Sequence, residues 1–192
     1  MIRFSPGPQA EPQRGSLLLS EPFLEDPYFG RKAVLICEIS ERGTFGFVLN
    51  NFVDVDLHAL AQEIPEGFGR VSVGGPVNVS TLYYLHRLSD LEGAVHVMDD
   101  LYMGGDFNAL VERLQQHPVG AEDIRFFVGY AGWSENQLED EIKSRSWFVT
   151  DADPASVMDT TVDGDDYWKQ RIAAMGEDYS HIANAPVDPS LN

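Results

Sequence analysis

Ala33-Val-Leu-Ile-Cys-Glu-Ile-Ser-Glu-Arg-Gly-Thr-Phe-Gly-Phe-Val-Leu49 holds two β-rich runs around a short polar connection. Residues 33–39 are almost continuously apolar, and Phe45 to Leu49 follow after Glu41-Arg42-Gly43-Thr44. Val, Ile and Phe suit a pleated, buried surface, and a brief Gly-containing link between two such runs predicts a hairpin.

Outward from this hairpin, strands and helices share one chain. Upstream, Ser16 to Ser20 reads as a short buried strand. Residues 1–14 carry Pro6, Pro8 and Pro12 with little apolar content, and predict a loose arm. Downstream, Leu57, Leu60, Ala61 and Ile64 recur at the spacing of one helix face, with Asp54 or Asp56 placed to cap it. Val71 to Val73, Thr81 to Leu85 and Ala94 to Met98 read as strands, the first two joined through Gly74-Gly75-Pro76. Phe107, Leu110, Val111 and Leu114 form the apolar stripe of the clearest helix, capped by Asp106. Arg125 to Val128 is a strand entering Gly129-Tyr130-Ala131-Gly132-Trp133. Ser134-Glu-Asn-Gln137 matches a capping box ahead of a helix bearing Leu138 and Ile142, and Trp147 to Val149 is a further strand. Trp168, Ile172 and Met175 predict a helix docked on the core, and residues 183–192 a frayed tail. A single domain over 15–182 is expected.

Thirteen Lys and Arg stand against 31 Asp and Glu, a formal net charge of -18. Nucleic-acid binders need a clustered basic surface, and none is present, so direct nucleic-acid binding is not expected. An anionic membrane would repel the chain for the same reason. Such acidity suits solubility or a basic protein partner. The one cysteine, Cys37, rules out an intramolecular disulfide. With no apolar leader and no long apolar window, the cytoplasm is the expected compartment.

Motifs that would name a reaction are missing. There is no phosphate-cradling G-x-G-x-x-G or G-x-x-x-x-G-K-[ST], and the Gly74-Gly75 and Gly104-Gly105 pairs read as tight turns. His58, His86, His96, His117 and His181 never fall at ligand spacing, so no metal is expected, and no cofactor either. Gly132-Trp-Ser-Glu-Asn136 lacks the second glycine of a nucleophile elbow. Cys37 sits in an apolar strand beside Glu38, which would raise a thiol pKa. A nucleophilic Cys37 would need a histidine from elsewhere in the fold, and His86 is the candidate.

Several segments in order resemble the AlgH/YqgE-like family: Gly15-Ser-Leu-Leu-Leu-Ser with Asp26-Pro-Tyr-Phe29; Ala33 to Glu38 with Gly43-Thr-Phe-Gly-Phe-Val-Leu-Asn50; Gly74-Gly-Pro-Val77 leading to Leu85-His86; Leu101-Tyr-Met-Gly-Gly-Asp106; and Phe127-Val-Gly-Tyr-Ala-Gly-Trp133 with Gln137-Leu-Glu139 and Trp147. The resemblance runs from about residue 15 to 180. It implies one compact α+β domain, with a bent, mostly antiparallel or mixed sheet surrounded by helices, in the bacterial cytosol. It supplies no activity, because the family is essentially uncharacterised; some members carry a transcriptional-regulator label. Many members have Asn-Arg-Pro or Asn-Lys where this chain has Asn50-Asn51-Phe52, so a cation for anion binding is missing there. Many have His after the Cys-Glu pair where this chain has Ile39, which removes the nearest base for Cys37.

The expected function is a non-enzymatic binding or regulatory role toward a small molecule or a protein partner. Its cleft would be lined by Asn50, Gly74, Gly75, Pro76, His86, Gly129, Tyr130, Gly132 and Trp133, because glycines at strand ends let a ligand approach the backbone. The alternative is a small enzyme around Cys37, Glu38 and His86. A weaker one is a transcriptional regulator lacking a recognisable DNA-binding motif.

Overall fold

A computed structural model of the chain describes residues 10–68, 70–116 and 119–187. The hairpin is β2 (Ala33–Ser40) with β3 (Gly43–Val48), antiparallel, Ser40 opposite Gly43. β1 (Ser16–Ser20) lies between β2 and β10 (Trp147–Asp151). After the hairpin come β4 (Phe52–Val53), α1 (Leu57–Leu60), β5 (Val71–Val73), β6 (Val77–His86), β7 (Val95–Met98) and β8 (Leu101–Met103). Then follow α2 (Phe107–Gln116), β9 (Ile124–Trp133) and α3 (Gln137–Lys143) ahead of β10. α4 (Pro154–Met158), α5 (Gly164–Ala174), a 3₁₀ turn at Glu177–Tyr179 and α6 (Ser180–Ala183) complete the described chain.

The strands form one open sheet in the order β10-β1-β2-β3-β9-β6-β8-β7, with β4 beside β5 and β5 beside β9. Every pairing is antiparallel except β5 with β9, so the fold is a single α+β domain with a mixed sheet. β9 changes neighbour along its length. Phe127 and Val128 pair with β5, whereas Ala131 to Trp133 pair with β3. Gly129, at φ +69°, sits at the change of neighbour, a conformation that costs an L residue with a β-carbon.

Strand parity sorts the core. Leu17, Leu19, Leu35 and Phe47 face one cluster, roofed by Tyr167, Trp168 and Ile172 of α5. Leu18, Val34, Ile36 and Val48 face another, with Trp133, Leu138 and Trp147. β1 is buried along its whole length because both its faces are covered. A third cluster packs Leu110 and Leu114 of α2 on Tyr84, Ile124 and Phe126.

Several expectations are corrected. The helix expected over 57–64 is one turn: the backbone is extended at Ala61, and a tight turn brings Ile64 to the same cluster as Leu57. Leu60 is therefore left 47% exposed. The capping box forms in one direction only, Ser134 N–H donating to Gln137 Oε1 at 3.0 Å, because the helix begins at Gln137 after a left-handed Asn136. β8 and α4 are additions. The expected frayed tail is anchored at its start: Ala183 is buried, and Arg31 Nη2 donates to the carbonyls of Ala185 and Pro186 at 2.6 and 2.7 Å. In the expected arm, Arg14 donates to the His96 carbonyl at 3.0 Å. Residues 1–9 and 188–192, and His117, lie outside the described residues.

Candidate functional site

Asn50 is fully buried, out of a ligand's reach, and both its amide N–H groups are used. Its Oδ1 accepts from Ala33 N–H at 2.9 Å, and its Nδ2 donates to the carbonyls of Arg31 and Gly164 at 3.0 and 2.7 Å. His86 is likewise buried and bonded at both ring nitrogens. Leu88 N–H donates to Nδ1 at 3.1 Å, which leaves the proton on Nε2, and Nε2–H donates to the Gly104 carbonyl at 2.8 Å. Burial lowers its pKa, so this is a neutral, structural imidazole. Cys37 has no exposed surface, its thiol faces the Leu35 carbonyl at 3.8 Å, and burial pushes its pKa far up. A thiolate nucleophile is therefore disfavoured there.

The paired glycines are used on backbone crossings. Gly74 N–H donates to Val128 O at 2.9 Å, and a β-carbon on Gly74 would lie 2.5 Å from Gly129 O. A β-carbon on Gly75 would overlap the Tyr130 backbone. Pro76 is exposed beside them. These glycines let two segments of the chain pass at contact distance, where tight turns or the approach of a ligand were expected.

Tyr130, Gly132, Trp133 and Glu38 do come together. They line a groove of about 400 Å³ with Phe45, Thr44, Arg42 and Val77. Its centre is the Phe45 ring stacked on Tyr130 at 4.5 Å, with Tyr83 edge-on to Tyr130 at 5.8 Å. Gly132 is opposite Phe45 in the ladder. The nearest atom to a β-carbon there would be the Tyr130 ring at 3.1 Å, so no backbone crossing demands glycine at this position. Its missing side chain leaves the groove open.

Glu38 reaches this groove because of a β-bulge. Ile36 pairs with Gly46 and Glu38 with Phe45, so Cys37 is an extra residue in β2. Without it, Glu38 would share the face of Val34 and Ile36; with it, Glu38 stands on the face of Phe45. Among the described residues, neither Glu38 nor Arg42 has an ion-pair partner. Trp133 differs, since its indole N–H is committed to Glu141 at 2.9 Å. Sequence reading missed Phe45, Thr44, Arg42 and Val77. The alternation Phe45-Gly-Phe47 marks only which face Phe45 takes.

Buried Arg125 was also missed. Its guanidinium donates to the carbonyls of Leu49 and Val157 and to Ser72 Oγ, tying α4 to the sheet. Burial draws its pKa down to about 10. It remains a cation held by neutral oxygens. Among the described residues, no group of three or more His, Cys, Asp or Glu could hold a metal, and no helix is long and apolar enough to cross a membrane.

The family model described as AlgH-like matches residues 17–180. A UPF0301 protein of Parabacteroides distasonis is 40% identical over 186 residues, covering 94% of this chain and 92% of that one. One from Cytophaga hutchinsonii is 36% identical, with 93% and 98% covered. A crystal structure of a Corynebacterium diphtheriae protein superposes with a TM-score of 0.79 at 25% identity, covering 92% of this chain and 94% of its own. The solution structure of AlgH from Pseudomonas aeruginosa gives 0.69 at 24%, covering 94% and 98%, and supports the fold. The chain belongs to the AlgH-like family.

Proposed function

We propose that this is a non-enzymatic cytoplasmic binding or regulatory protein, and that the groove over Phe45 and Tyr130 holds its small-molecule ligand. The observation that carries the reading is the bulge at Cys37, which turns Glu38 onto the face of the stacked rings. Bulges recur beside functional sites because they redirect one side chain. A half-buried aromatic stack offers a flat ligand an apolar surface, while Glu38 and Arg42 offer charge of either sign at its edge. The groove's volume suits a small ligand. An enzyme built on Cys37 and His86 is disfavoured by their engagement inside the core.

Native mass spectrometry of gently purified protein tests the reading. A retained small mass is expected in the wild type and not in Gly132→Val, which fills the floor without requiring an unusual backbone. An apo mass for the wild type, or the same adduct in a folded Gly132→Val, overturns it.

A further inference from the structure

β8 covers only one end of β6. Met103 pairs with Leu85 and Tyr102 with His86, and Gly104 N–H donates to the Tyr84 carbonyl at 3.1 Å. There the chain departs. Gly104 and Gly105, at φ +67° and +115°, swing it away into α2. Both glycine carbonyls are held in that arrangement, one by His86 Nε2–H and the other by the Tyr84 hydroxyl, each at 2.8 Å. Beyond this point, among the described residues, β6 pairs with β9 alone, from Leu82 to Tyr84 and again at Val77 after a shift of register.

Backbone groups of an antiparallel strand alternate between its two sides, so Leu82 aims its N–H and C=O the same way as Tyr84. Among the described residues, no strand lies on that side at Leu82. That side holds a cavity of about 510 Å³ lined by Leu60, Leu82, Tyr83, Met103, Gly104 and Phe107. Val79, on the same open stretch, is 59% exposed. Proteins usually blunt such an edge with Lys, Pro, a bulge or a covering loop; Asn78 to Leu82 contains neither Lys nor Pro and relies on the register shift between Val77 and Leu82. The segment that supplies Leu60 to the cavity wall carries Asp54, Asp56, Glu63 and Glu66 over residues 54–66, with no Lys or Arg.

We infer that this open edge accepts an extended, basic segment of a partner protein as an added strand. Main-chain bonds to Leu82 supply affinity, an apolar side chain enters the cavity, and Lys or Arg residues of the segment face the acids of 54–66. A second copy of this chain is the poorer occupant, because it would bring one net charge of -18 against another.

The test uses the full chain, ¹⁵N-labelled, and a synthetic heptapeptide of alternating valine and lysine. Three companions serve as controls: a valine–glutamate version, a lysine version N-methylated at alternate backbone nitrogens, and the lysine version against Glu63→Gln/Glu66→Gln protein. The inference expects saturable binding with amide shifts centred on Leu82 and Gly104. It expects at least tenfold weaker binding of the glutamate and N-methylated peptides, and several-fold weaker binding to the charge variant. Binding that survives N-methylation would be simple charge adsorption and would overturn it. So would shifts located elsewhere, no binding up to millimolar peptide, or sedimentation showing the wild type already paired through this edge.

Discussion

A β-carbon on Gly129 would lie 2.6 Å from the carbonyl oxygen of Gly75, and Gly75 in turn has no room for one against Tyr130. The close passage of β9 against the Gly74-Gly75 segment depends on this mutual approach. Gly129→Ala should destabilise by at least about 3 kcal/mol, combining the left-handed backbone cost with a clash that only backbone movement relieves. Gly132→Ala, against a ring that can shift, should cost under about 1 kcal/mol. Urea unfolding of the two variants checks the contrast, and equal effects would contradict it.

Asn50 makes three bonds inside the core. Asn50→Ala removes the side-chain partner of one N–H and two carbonyls, and a loss of about 2–4 kcal/mol is expected. The chemical-denaturation midpoint reports it. A shift under about 0.5 kcal/mol would mean that water replaces the amide freely.

Cys37 should be silent toward a thiol reagent in the native protein at pH 8 and react fully in denaturant, because burial both shields it and raises its pKa. Labelling should follow the rate of global opening. Prompt native labelling would reopen the thiol chemistry that the structure disfavours.

His86 gives stability a definite pH slope. Its native pKa lies below the ordinary 6.5, so the unfolded chain binds the extra proton first as pH falls. Stability therefore rises with pH through that region and is lost progressively from about pH 7 toward 5. Comparing urea midpoints at the two ends in wild type and His86→Gln isolates this contribution. The variant should show a flatter profile, and an unchanged slope would assign the effect to other groups.

The β-strands were legible wherever local pattern decided them. Ser16 to Ser20 and Ala33 to Leu49 were read almost to the residue because burial on both faces leaves an apolar run that needs no distant information. Leu57 to Ile64 misled because a turn can satisfy the same apolar spacing as a helix. The three residues of β8 were too few to show a period. At the site, the limit was parity. A bulge of one residue moves Glu38 to the other face, and nothing in its neighbours' identities announces that. Asn50 and His86 looked available because a sequence shows a polar side chain without its partners, here 17, 19 and 114 positions away for Asn50 and 18 for His86.

Trp168 donates to the Ser20 carbonyl at 2.9 Å, Arg31 holds Ala185 and Pro186, and Asn50 holds Gly164. The first strands are thus finished by residues made much later. On the ribosome, β1 to β3 emerge long before α5 can cover their Leu19, Leu35 and Phe47 face, so the nascent sheet stays unroofed until translation of residues 164–186 is done. Chaperone contact during synthesis should concentrate on that exposed face, and a stop codon placed just after β10 should yield a chain that is degraded instead of a smaller stable domain.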